Sequence, residues 1–200
     1  MPESALLAAS HIEIDPGTGG PAIDQLWRCS DPAYFAAGNL LRPIETAGVA
    51  WHEGRAAAET IAAALAGRLP LPERAIPIAR DGPLLYVYPQ RISLPARPFR
   101  PLQLKARVAR AARGRIVVVA NGKEIWARPI SALPERRLNL PADRLSLDGL
   151  ESLAVRLDET PASEPHNRQS AIKPQTNLTE RAPTGTVPGK LTPGKDRAAE

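Results

Sequence analysis

The chain has 200 residues, a net charge of +5, 22 prolines, 4% aromatic residues and one cysteine. A lone Cys29 excludes an intramolecular disulfide, a Cys-x-x-Cys redox pair and a cysteine-based zinc site within this chain. Because the prolines cluster, part of the length lacks the apolar material for a core.

The start, Met1-Pro2-Glu3-Ser4, lacks the basic residues and apolar length of a secretory leader, so a cytoplasmic location is expected. Ile12-Glu13-Ile14 alternates apolar and polar residues, Asp15–Gly20 is a turn cluster, and Ala22-Ile23-Asp24 resumes extended structure, the pattern of a loose hairpin. Tyr34-Phe35-Ala36-Ala37 reads as a short buried strand whose small residues, with Gly38 behind them, let a ligand or another backbone come close. From about Thr46 to Ala66 the spacing predicts a helix with Ala50, Gly54, Ala57, Ala58, Ile61 and Leu65 on its packed stripe and Gly67 as its stop. Its apolar run around Ile61–Leu65 is broken by Glu59, Gly67 and Arg68, too short to span a bilayer, so no membrane segment is expected.

Residues 68–83 read as a proline-rich linker. Leu84–Tyr88, Leu102–Val108, Arg115–Val119, Glu124–Arg128, Arg136–Leu140 and Leu153–Leu157 then follow as short period-two segments, and Asn121-Gly122 is a strong hairpin signal between two of them. These predict a small antiparallel β-sandwich-like domain over 84–158. Residues 159–200, rich in proline and polar residues with little to bury, predict a disordered tail.

Gly82 to Lys123 contains no acidic residue, while Arg91, Arg97, Arg100, Lys105, Arg107, Arg110, Arg113, Arg115 and Lys123 accumulate. Without stacking aromatics or a recognition motif, such a block is expected to be the solvated face of strands, and nucleic acid is not the expected partner. His11, His52 and His166 lie far apart, so no metal site is expected. His52-Glu53 fits a solvated helix face, Cys29 a small buried side chain, and Trp27, Trp51 and Trp126 packing anchors; only Trp51, on the first turns of the helix, could come near a cofactor.

The eleven residues Cys29-Ser30-Asp31-Pro32-Ala33-Tyr34-Phe35-Ala36-Ala37-Gly38-Asn39, followed by Leu40-Leu41-Arg42-Pro43-Ile44-Glu45-Thr46-Ala47-Gly48, carry the chain's one functional pattern. It resembles the second FAD motif of pyridine-nucleotide-disulfide-type oxidoreductases, Thr-Ser-x-Pro-x-(Ile/Val)-(Tyr/Phe)-Ala-x-Gly-Asp, and is similar to members that lack an active-site disulfide. The resemblance covers about the first third of the chain. It implies that residues 1–67 are the C-terminal part of an FAD-binding domain, so that the fold class is α/β: a partial Rossmann-like FAD/NAD(P)-binding domain of strands plus one helix, then the β-sandwich-like domain. It further implies FAD contacts from Gly38 and Asn39 on the ribityl side and from the Thr46 and Ala47 amides toward the isoalloxazine N1 and C2 carbonyl, with NAD(P)H as hydride partner in the complete enzyme. Asn39 stands where the family has Asp, so the ribityl hydroxyls would lose a charged acceptor but keep a hydrogen-bonding one.

No Gly-x-Gly-x-x-Gly loop occurs, and in that family such loops hold the FAD pyrophosphate and the nicotinamide cofactor. The chain is therefore expected to begin partway through the cofactor domain, with no assignable catalytic residue, and to need a missing N-terminal cofactor-domain polypeptide or partner subunit. The alternative is a truncated, non-catalytic accessory protein whose β-domain binds a partner while the flavin element is vestigial.

Overall fold

Period-two alternation in the second half of the chain becomes sheet. The computed structural model describes residues 5–42, 46–95, 97–142 and 144–160, so the tail reading, from residue 161 on, lies outside the described residues. They contain mostly strands, in two sheets, with one main helix: β1 Arg74–Asp81, β2 Leu84–Tyr88, β3 Arg91–Leu94, β4 Gln103–Val108, β5 Ala112–Ala120, β6 Lys123–Ala132, β7 Leu138–Pro141 and β8 Leu153–Glu159. Before them come a short helix α1 (Ala5–Ala8), a 3-10 turn (Gly38–Leu40) and the long helix α2 (Ala47–Leu65).

One sheet runs β3-β1-β8-β5-β6 and the other β2-β4-β7. Their facing sides form the main core, where Leu104, Ala106, Leu138 and Leu140 of the smaller sheet meet Ile76, Ile116, Val118, Val155 and Leu157 of the larger. Burying each of the larger of these side chains contributes about 1.5–3 kcal/mol. The Asn121-Gly122 signal forms the β5–β6 turn, with φ +49 and +74°, the positive values that a tight hairpin of this twist requires. Asn121 also ties in the start of β8, since its Oδ1 accepts from the Glu151 and Ser152 amides at 2.8 and 3.0 Å.

Two expectations change. β1 lies inside the stretch read as linker and pairs parallel with β8, so the larger sheet is mixed where an antiparallel one was expected. Pro77 and the surrounding prolines masked the strand's alternation, in which Ile76 and Ile78 are the buried positions. The first third is also not packed by itself. Its small core of Ile12, Ile23, Cys29, Ala36 and Leu41 includes Tyr86 and Tyr88 from β2, and all the described residues fall in one compact unit.

Candidate functional site

The loose hairpin forms as a bridge between Ile14 and Pro21, with the Asp15 amide bonded to the Gly20 carbonyl at 2.9 Å. Beyond it Asp24 organises a tight reversal: its Oδ1 accepts from the Leu26 and Arg28 amides at 2.8 and 3.0 Å, and its Oδ2 from Arg28 Nε at 2.9 Å, with both side chains buried. The chain closes through Asp24 N to Arg28 O and Trp27 N to Asp24 O. This leaves Trp27 in the left-handed region at φ +68°, a position that glycine or asparagine ordinarily takes. Trp27 holds it while packing edge-on against Tyr88, ring centroids 6.0 Å apart. The reversal docks on β3 through Gln25, whose amide pairs with the Ser93 backbone at 2.6 and 2.8 Å.

The segment Tyr34–Ala37 is not a buried strand. It contributes one bridge, Arg28 to Phe35, and Tyr34 is half exposed because its ring stands on the outer side against His11. The flavin-like residues that follow are brought partly together. Gly38 is buried at φ +72°, a left-handed conformation that favours glycine, and the turn lies close enough to α2 that a Cβ added to it would come to 3.4 Å from Ala50 Cβ, at the edge of ordinary contact. Thr46 caps α2, its Oγ1 3.4 Å from the Val49 amide, and the first helical bond runs from Ala50 N to Thr46 O. The amides of Ala47 and Gly48 therefore precede the helical ladder, and no acidic side chain in the first turn offsets the positive end of the helix. Asn39, Thr46 and Ala47 are exposed on the surface. Glu45, which completes the motif, lies outside the described residues.

α2 also turns differently from the expected stripe. Its buried positions are Glu53, Ala57, Thr60 and Ala63, whereas Gly54, Ala58 and Leu65 face out. The cause is Glu53, expected on a solvated face: its Oε1 accepts from Arg42 Nη2 and, at 2.9 Å, from Lys105 Nζ of β4. Arg42 is fully buried, with its guanidinium 4.2 Å above the Tyr88 ring. In the smaller sheet Tyr88, Lys105 and Asn139 are cross-strand neighbours on the side away from the core. The polar face of that sheet is thus what the helix rests on, and the ion pair lets it do so. Sequence reasoning missed this network; the one available signal was that Glu53 shares a helical face with Ala57 and Thr60.

Between α2, the Asp24–Arg28 reversal, the 98–103 segment and the smaller sheet is a cleft of about 340 Å³. Glu53, Lys105, Trp27 and Phe99 line it; Gly38, Asn39, Thr46 and Ala47 do not. The structure therefore separates the flavin-like turn from this cleft.

The basic block is largely neutralised by carboxylates remote in sequence. Arg91 pairs with Glu13, Arg97 with Asp148, Arg100 with Glu59, Lys105 with Glu53 and Arg110 with Glu159, while Arg115 pairs with nearby Glu124 across the hairpin. Hydrogen bonds from Arg100, Arg115 and Arg110 hold the carboxyls of Glu59, Glu124 and Glu159 below the usual range. Cys29 is buried as expected, and burial pushes its thiol up to about 11, against the opposing pull of Arg91. Trp51, expected as a packing anchor, is 57% exposed and instead carries Arg55 4.9 Å from its ring. Among the described residues no group of histidine, cysteine or carboxylate side chains could hold a metal ion, and no helix is long and apolar enough to cross a membrane. Comparisons with protein-family models, curated proteins and solved structures find no match to this chain.

Proposed function

We propose that this chain supplies the ribityl and isoalloxazine side of an FAD site in a flavin-dependent oxidoreductase that exchanges hydride with NAD(P)H, the dinucleotide-binding part coming from another polypeptide. The observation that supports the reading is the approach of the Gly38 turn to Ala50 near the start of α2, with Asn39, Thr46 and Ala47 all exposed. The Asn39 amide would bond the ribityl hydroxyls. The amides at Thr46 and Ala47, at the positive end of α2, would stabilise negative charge on a reduced flavin. The redox chemistry is the cofactor's; the protein orients it and tunes its charge. On this reading residues 1–67 belong to a Rossmann-like domain.

The outer face of α2 favours completion by a second polypeptide. Ala47, Trp51, Gly54, Ala58, Ala62 and Leu65 recur at three- and four-residue spacing and are all exposed, giving an apolar stripe beside the turn. The same stripe supports a second reading, an accessory protein that binds a partner and no flavin. The two separate on visible absorbance. The purified chain is expected to be colourless alone and to gain flavin absorbance, with FAD added, only when mixed with a polypeptide bearing the Gly-x-Gly-x-x-Gly loop. Asn39→Leu should lower flavin retention in that complex. A complex that forms and stays colourless establishes the accessory reading instead.

A further inference from the structure

The cleft under α2 has features that the flavin reading does not use. Each carboxylate on its lining already holds an arginine: Asp24 holds Arg28, Glu53 holds Arg42 and Glu59 holds Arg100. Lys105 comes in addition. Its side chain is 16% exposed, and of its three ammonium hydrogens one is directed to Glu53 Oε1 at 2.9 Å. The ammonium also lies 5.7 Å from the centre of the Tyr88 ring, and the lining of the cleft is mixed, with Trp27, Pro89, Phe99 and Leu102 among its apolar members and Gln103, Arg137 and Asn139 among its polar ones. Trp27 reaches that lining from a backbone conformation that a bulky residue avoids, at a cost of about 1–2 kcal/mol. The size, at about 340 Å³, is at the small end of small-molecule sites.

We propose that this cleft binds a small organic carboxylate, with the carboxylate on the Lys105 ammonium and the apolar body against Trp27 and Phe99. An ammonium donor beside an apolar wall selects for a molecule with one charged end. A neutral isostere forfeits the charge-assisted bond, and a bare inorganic anion leaves the wall uncovered. The site is separate from the Asn39 surface, so it stands or falls independently of the flavin reading.

The test uses the full chain, labelled with nitrogen-15 and titrated with sodium benzoate, benzamide and inorganic phosphate. The indole N–H signals of Trp27, Trp51 and Trp126 are assigned by single Trp→Phe variants. Benzoate is expected to shift the Trp27 signal saturably in the millimolar range or tighter, leaving Trp51 and Trp126 in place, with benzamide at least roughly tenfold weaker and phosphate without effect. Lys105→Met should abolish the shift and Phe99→Ala should weaken it, whereas Lys123→Met, at the exposed β5–β6 turn, should bind as wild type. An unmoved Trp27 signal, equal binding of benzamide or phosphate, or a folded Lys105→Met variant that still binds benzoate would each overturn the proposal. If Lys105→Met fails to fold, as the same spectrum would reveal, the comparison of benzoate with benzamide on the wild-type chain decides.

Discussion

Replacing Glu53 by Gln keeps its shape and removes its charge at the point where α2 meets the smaller sheet. Two cations share Oε1 of this carboxylate, Arg42 with no exposure and Lys105 with little. Taking away one partner of a buried ion pair costs roughly 3–5 kcal/mol, because the surviving charge stays desolvated. The Gln amide oxygen can still accept one hydrogen bond, which places the expected loss near the lower bound, about 3 kcal/mol. For a chain of this size that corresponds to a fall of roughly 6–12 °C in Tm. Urea titration followed by far-ultraviolet circular dichroism measures it, with an unchanged slope showing that the unfolded ensemble is unaltered. The control is Glu59→Gln, six residues further along the same helix, whose bond to Arg100 is in solvent. That substitution should be indistinguishable from wild type. Equal shifts in the two variants would refute the claim that burial of Glu53 holds the helix to the sheet.

Three further outcomes concern Trp27 and Cys29. At Trp27, held at φ +68°, the Gly variant should be more stable than the Ala variant by about 1 kcal/mol, since both lose the ring but only glycine is unstrained there; an Ala variant as stable as the Gly variant would contradict the backbone assignment. Because the native Cys29 thiol titrates near pH 11, above its unfolded value of about 8.5, the folded state binds the extra proton in between. Its contribution is complete below the unfolded value and disappears as pH rises to the folded one, so Cys29→Ala should flatten the fall of stability with pH across that alkaline window. Iodoacetamide at pH 9 should also alkylate the native thiol far more slowly than the urea-unfolded one, and equal rates would show the thiol to be accessible.

Several strands were legible because one face is apolar, as with Leu104, Ala106 and Val108 of β4 alternating with exposed or polar neighbours, whereas β3, four residues long, was not expected. The Asn121-Gly122 turn was legible from its dipeptide alone. β1 was hidden by Pro77, and its parallel partnership with β8 was beyond reach because nothing local encodes a neighbour some seventy residues away. The start and cap of α2 were readable from Thr46, but its rotation was not. Small residues occur on both sides of that helix, and an ion pair with Arg42 and Lys105 decided which side turned inward. Likewise the basic block read as surface charge, yet most of its members meet carboxylates brought from other segments, such as Glu159 at Arg110. Of the candidate site, the Gly38 turn and the helix opening were visible in the order of residues, while the cleft was not, since its wall combines Trp27, Glu53 and Lys105 from three separated segments.

The last strand of the described chain occupies the middle of the larger sheet. β8 separates β1 from β5, so the earlier strands of that sheet can form two hairpin-like pairs, β1 with β3 and β5 with β6, but cannot join into one surface without it. During synthesis the ribosome must therefore deliver residues through Glu159 before the two halves can close, and until then each half presents an unsatisfied edge to the crowded cell. A chain that stopped short of Leu153 would lose its keystone, not its fringe.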